Sequence, residues 1–188
     1  MVDRVPPAGS GTTVRVAADD PPPRGLWIGL AITVLAVGVA VAFGLSKDDP
    51  ADTAVHVVTA QSQPAEAGAP PTDARGGPRA SAFGVPFPNL AARLGWEPVG
   101  RRDDVVDGRA VETVTYARAG RRLAYSVVDG PALPAPPGGV RVAARGAAAT
   151  AFEAAGRTAV LATRDGRSVV VSAAGVPRVA VIRAARAP

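Results

Sequence analysis

Cysteine is absent from this chain, and histidine occurs once, at His56. The first absence excludes disulfides, thiolate catalysis and cysteine-ligated zinc. The second removes histidine-cluster metal sites and leaves no Ser/His/Asp set in the C-terminal part of the chain. Lysine is nearly missing, since twenty of the 21 basic residues are arginine. With abundant Ala, Gly, Val and Pro, that bias matches the codon usage of a GC-rich genome. Aromatic residues make up 4% of the chain, so the aromatic interleaving used by single-strand nucleic-acid binders is missing. No glycine-rich phosphate loop stands between a strand and a helix. The Gly-Arg pairs at Gly108, Gly120, Gly156 and Gly166 punctuate hairpins instead. The densest carboxylates, Asp103, Asp104 and Asp107, lead into one such turn and read as turn formers on a solvated edge. The expectation is a protein that is not an enzyme, with no catalytic residues, no cofactor, no metal and no nucleic-acid partner.

Charge is absent from one long run. Gly25 to Ser46 reads GLWIGLAITVLAVGVAVAFGLS, bounded by Arg24 and Lys47. A helix of that length measures about 33 Å, enough for a hydrocarbon core of about 30 Å. Arg24, with Arg15 and Arg4 behind it, lies before the run, and Lys47 beyond it is followed at once by Asp48 and Asp49. That bias predicts an uncleaved single span with a cytoplasmic N-terminus and an extracytoplasmic C-terminal domain. Trp27 sits where an interfacial aromatic belongs. Ala40-Val41-Ala42 offers the alternative of a cleaved signal peptide, against which the apolar run continues without a polar break. Gly25/Gly29 and Ala36/Ala40/Gly44 form small-residue faces suited to a weak homodimer through the membrane helix, although the ordinary Gly and Ala content of such helices is the favoured explanation.

The other segments follow from this anchor. Residues 1–24 are polar, contain PPP at Pro21 to Pro23, and read as a disordered cytoplasmic tail. Residues 47–84, with Pro50, Pro64, Pro70, Pro71 and Pro78, read as a Pro-rich, solvated linker in which His56 is a bystander. Residues 85–188 read as an extracytoplasmic antiparallel β domain. Asn89 to Leu94 suits a short helix, with Gly95 at its left-handed end. Strands are predicted at about Glu97–Val106, Arg109–Arg118, Arg121–Asp129, Val140–Arg145, Thr150–Ala154, Arg157–Thr163 and Arg167–Ser172. Asp107-Gly108 and Asp165-Gly166 suit type I′ hairpin turns, with a further break at Ala119-Gly120. Alternation places Val114 with Tyr116 on one face, and Leu123 with Tyr125 and Val127 on one face; these and Trp96 are the candidate core. Gly130 to Gly139, GPALPAPPGG, carries PxxP spacing at Pro131/Pro134 and Pro134/Pro137 but reads first as a rigid crossing loop. Val176 to Ala187 suits a C-terminal helix with Pro177 at its first position. The fold class is therefore α+β: a transmembrane helix, a linker, then two antiparallel meanders with a helix at each end.

Gly95-Trp96, Gly100-Arg101-x-Asp103, Asp107-Gly108-Arg109, Thr113-Val114-x-Tyr116, Gly120-Arg121-Arg122, Tyr125 and Gly130-Pro131 follow one another in this order. In that series the chain resembles the outer portion of some actinobacterial membrane-anchored anti-sigma factors and related single-pass proteins. The resemblance spans roughly residues 85–188 and the membrane helix, and its motifs are turn and core residues. It implies a membrane-anchored sensory or binding domain outside the cell. Such anti-sigma factors hold their sigma factor through a helical cytosolic domain, often zinc-binding with a His-x-x-x-Cys-x-x-Cys motif. Only 24 residues precede the span here, without His or Cys, so the sigma-binding activity does not carry over.

Net charge sharpens two readings. Residues 81–188 carry fifteen Arg against eight acids. Arg101, Arg102, Arg109, Arg118, Arg121 and Arg122 are concentrated in the first meander and could form one basic rim. Such a rim would suit a structural envelope protein resting on anionic lipid or wall polymer, set against an evenly soluble Arg-rich surface. The other reading is an interaction module that binds an envelope protein or ligand.

Overall fold

The computed structural model describes residues 49–144 and 147–188. The apolar run at 25–46 and the tail before it lie outside the described residues, among which no helix is long and apolar enough to cross a membrane. The domain is a small antiparallel β-sheet structure with a C-terminal helix, as its alternating sequence predicts. In chain order its elements are α1 (Thr53–Ala60), β1 (Ser81–Ala82), β2 (Val85–Pro86), α2 (Leu90–Leu94), β3 (Glu97–Val106), β4 (Arg109–Arg118), β5 (Arg121–Val128), β6 (Val140–Ala144), β7 (Ala147–Ala154), β8 (Arg157–Arg164), β9 (Arg167–Ala173) and α3 (Arg178–Ala185).

Among the described residues, four two-residue turns join consecutive strands of the two meanders. Asp107, Ala119, Ala155 and Asp165 all have φ between 46° and 49°, and each is followed by a glycine with φ between 69° and 77°. Two successive positive φ values define the type I′ turn, whose twist matches that of paired strands. The meanders do not remain separate. β5 pairs with β9, so all seven strands join into one sheet in the order β3-β4-β5-β9-β8-β7-β6. The 129–139 connection must therefore carry the chain from the centre of the sheet to its far edge, which no hairpin can do.

Alternation gives the sheet two buried faces. On the first, Val114, Tyr116, Leu123, Tyr125, Val127, Val160, Val169 and Val171 pack against Phe87, Leu90 of α2, Trp96 and Val181 and Ala184 of α3. The predicted core residues are all here and all buried. Asn89, read from the sequence as the first helical residue, instead caps α2 by accepting from the Ala92 amide, and Gly95 ends it in the left-handed region as expected. α3 begins at Arg178 with Pro177 as its cap rather than its first helical residue.

The second face corrects the reading of residues 47–84 as a solvated linker. Thr53–Ala60 is helical, and its Ala54, Val57 and Val58 are buried against Val111, Val128, Phe152, Leu161 and Val170. Burial of three such side chains contributes on the order of 1.5–3 kcal/mol for each valine, enough to hold a segment whose β-branched residues are poor helix formers by themselves. Further along, Ser81–Ala82 pairs with Val85–Pro86. Asp73 orders the intervening loop by accepting from the amides of Arg75 and Gly77, and these bonds, Gly77 first, lower its pKa.

Candidate interaction surface

The six arginines proposed as one basic rim are not on one rim. Arg109 and Arg118 begin and end β4, nine residue steps and about 30 Å apart. Arg118 and Arg121 face each other at the β4–β5 turn, with Arg122 beside them, while Arg101 and Arg102 lie mid-strand in β3. Most are also engaged within the molecule. Arg101 pairs with Asp103 and, at 2.9 Å, with Glu112, whose carboxyl is raised by burial against the lowering pull of Arg101. Arg102 pairs with Asp104 at 2.7 Å and with Glu66 at 3.4 Å, and donates to the Pro64 carbonyl. Arg109 donates to Pro131 O. Arg118 donates to Leu94 O at 2.6 Å, a carbonyl at the end of α2, where a cation is favoured by the helix dipole. Arg121 and Arg122 are exposed. An open groove of about 520 Å³ lined by Ala67, Gly68, Pro70, Arg79, Ser81 and Arg101 adds one further arginine, Arg79. Asp103 and Asp104, expected to form the turn, are strand residues serving as counterions; only Asp107 enters the turn.

A polar cluster that sequence reasoning missed lies under α1. Gln61, just past that helix, donates to Ser126 Oγ at 2.7 Å and to Val170 O at 3.0 Å, and accepts from Ser172 Oγ. Ser126 is 2.6 Å from Thr113 Oγ1, and Ser172 accepts from Arg157 Nε at 2.8 Å. Burial lowers the Arg157 pKa. Every member has a partner, so the cluster stabilises rather than penalises its own burial. A lone glutamine in a Pro-rich stretch carries no signal of this role. His56, read as a bystander, points from α1 to the β3–β4 turn, with Nδ1 2.9 Å from Asp107 Oδ2.

The two edges of the sheet differ. The outer side of β3 is occupied: Ala67 bridges to Arg101 in both directions, through Arg101 N to Ala67 O at 3.2 Å and Ala67 N to Arg101 O at 3.0 Å. Gly100 permits this approach, because a Cβ there would lie 2.6 Å from Ala65 Cβ. A register shift between Pro98 and Gly100 bends the strand at the same place, a further device that blunts an edge. Among the described residues no strand pairs with the outer side of β6. Val140 in it is 56% exposed, and Arg141 and Ala143 are exposed as well. Within Val140–Ala144 only Arg141 is charged, and so lightly charged an edge can accept an added strand.

No protein-family model, curated protein or solved structure matches the chain.

Proposed function

We propose that this is a single-pass membrane protein, N-terminus cytoplasmic, whose extracytoplasmic domain works by binding and not by catalysis. The reading rests on the contrast between the sheet edges: Ala67 pairs with β3 at Arg101, while among the described residues nothing pairs with the outer side of β6. An open edge suits recognition of an extended segment of a partner protein, with main-chain hydrogen bonds supplying affinity. The anti-sigma-like resemblance agrees with a sensory or binding role for such a domain. The anchor would keep the domain at high local concentration beside partners in the same membrane. Because α1 starts at Thr53 and packs on the sheet, residues 53–60 belong to the domain rather than to a 38-residue flexible linker.

The alternative, a structural protein resting on anionic lipid or wall polymer through its arginines, has weaker support. Four of the six guanidinium groups already meet carboxylates or carbonyls. Arg121 and Arg122 remain as its strongest contacts.

Protease added to intact spheroplasts should remove residues 47–188; a domain protected under those conditions overturns the topology. Crosslinking from Ala143 in cells should trap a stoichiometric protein partner. That partner should survive added salt and be lost when Val140→Lys and Ala143→Lys place charges on the edge. Association abolished by salt and by Arg121→Ser with Arg122→Ser, but indifferent to the β6 variants, would establish the surface reading instead.

A further inference from the structure

The 129–139 connection crosses the second face, and its sequence restricts it severely. Pro131, Pro134, Pro136 and Pro137 each fix φ near −65°, and Gly130, Leu133, Ala135 and Pro136 each precede a proline and are driven out of the helical region. Between Pro131 and Pro137 only Ala132 is free of both constraints. The segment from Ala132 to Pro136 forms no helix or strand. Its burial has a period of three. Leu133 and Pro136 are buried, while Pro131, Pro134 and Pro137 are exposed, as are Ala132 and Ala135. Three residues per turn is the repeat of the polyproline II helix. One edge of that path is seated on the sheet, and the outer edge presents Pro134 and Pro137, Pro131 standing at the bend where the chain enters it.

The seat is well held. The Leu133 amide donates to Ser168 Oγ at 2.7 Å, and Leu133 packs with Phe152 and Val170. Arg109 donates to Pro131 O and Arg167 to Gly130 O, the latter at 3.1 Å. At the far end the Gly139 amide donates to Pro136 O at 3.1 Å, with Gly138 at φ 69°. This is the geometry of a type II turn with Pro137 in its first central position, where ψ near +120° continues the polyproline path.

We propose that the Pro134–Pro137 edge is a docking ridge for a partner domain with an aromatic-lined, polyproline-reading groove. Such grooves take PxxP segments in this conformation, and the usual entropic cost of ordering the segment is already met by the fold. Exposed Arg141, on the same face of the sheet beyond the turn, would favour a groove bordered by carboxylates. The ridge and the open β6 edge are different residues, and either can fail alone.

The test uses the full-length protein in nanodiscs and purified SH3, WW and EVH1 domains as probes, with titrations followed by biolayer interferometry. At least one domain should bind, and Pro134→Ala should weaken that binding about tenfold or more, as expected for a central anchor. Ala135→Glu, which adds bulk and charge beside the ridge without removing a proline, should weaken it too. Both variants should melt with the parent, since both positions are exposed. Absence of binding by every probe overturns the proposal. So does binding that persists in both variants, because another surface would then be responsible.

Discussion

The two faces of the sheet are buried by different means. The first is apolar and carries most of the buried aromatic residues: Phe87, Trp96, Tyr116 and Tyr125 with their aliphatic neighbours, Phe87 and Tyr125 meeting edge to face at 5.9 Å. The second carries all four buried polar strand residues, Thr113, Ser126, Ser168 and Ser172. Each is bonded to a group from its cover or from a neighbouring strand. Apolar packing tolerates many covers of suitable volume, whereas a hydrogen-bonded surface accepts only one that brings matching groups. Gln61 and the Leu133 amide are those groups. The difference teaches how one sheet holds a generic lid of helices on one side and a specified strap, α1 with the proline crossing, on the other.

The sharpest way to break this comparison is to remove volume from the apolar face. Leu123→Ala should cost roughly 2 to 5 kcal/mol in urea unfolding; a change within error would mean the first face does not carry the fold. Alkali should come next. Burial raises the Tyr125 pKa to about 12 and raises that of Tyr116 further. The folded state therefore keeps protons that the unfolded chain releases near pH 10, and stability present below that pH is lost as pH rises above it. For Tyr125 the loss reaches about 3 kcal/mol by pH 12, at about 1.4 kcal/mol per pH unit. Urea titrations at pH 9 to 11.5 should show that slope, and it should diminish in Tyr125→Phe.

On the polar face, Gln61→Leu keeps the volume and removes the bonds. It should cost about 1 to 3 kcal/mol, the penalty for leaving buried groups of Ser126, Ser172 and Val170 unpaired. Hydrogen exchange should then show α1 opening before the central strands. A loss as small as that of a surface residue would make the two faces alike. The tyrosines sharpen the contrast within the apolar face. Tyr116 donates to Pro88 O at 2.9 Å, while the buried Tyr125 hydroxyl has no protein partner among the described residues. Tyr116→Phe should destabilise by about 1 kcal/mol and Tyr125→Phe should be neutral or stabilising; equal losses in thermal melts would refute the distinction. Smallest is the half-exposed His56–Asp107 pair, where Asp107→Asn should change stability by less than about 1 kcal/mol.

Much of the apolar face was legible in the sequence. Asp107-Gly108 and Asp165-Gly166 announced hairpins because few other dipeptides accept two positive φ values. Tyr116, Leu123 and Tyr125 declared a buried face through strict alternation, and Leu90, Leu94 and Gly95 marked a short helix and its left-handed end. The candidate site was less legible. Composition grouped six arginines that the register of β3, β4 and β5 then distributed over about 30 Å. α1 was hidden because TAVHVVTA is poor in strong helix formers and sits between prolines; its helix exists through contact with Val111, Val128 and Val170. Gln61 was invisible for the same reason, as its partners lie 65 to 111 residues away.

By itself the sequence determined the local features: where the chain turns, which strand residues face inward, and the stiffness of the proline crossing. These follow from φ restrictions and side-chain period, which act over a few residues. It also determined the apolar run that carries the proposed anchor. Only the tertiary structure decided that the two meanders share one sheet, that Ala67 bridges β3 while β6 has no partner strand on its outer side among the described residues, and which prolines face outward. Those outcomes depend on pairings between residues distant in the chain, and their energies arise only when packing brings the partners together.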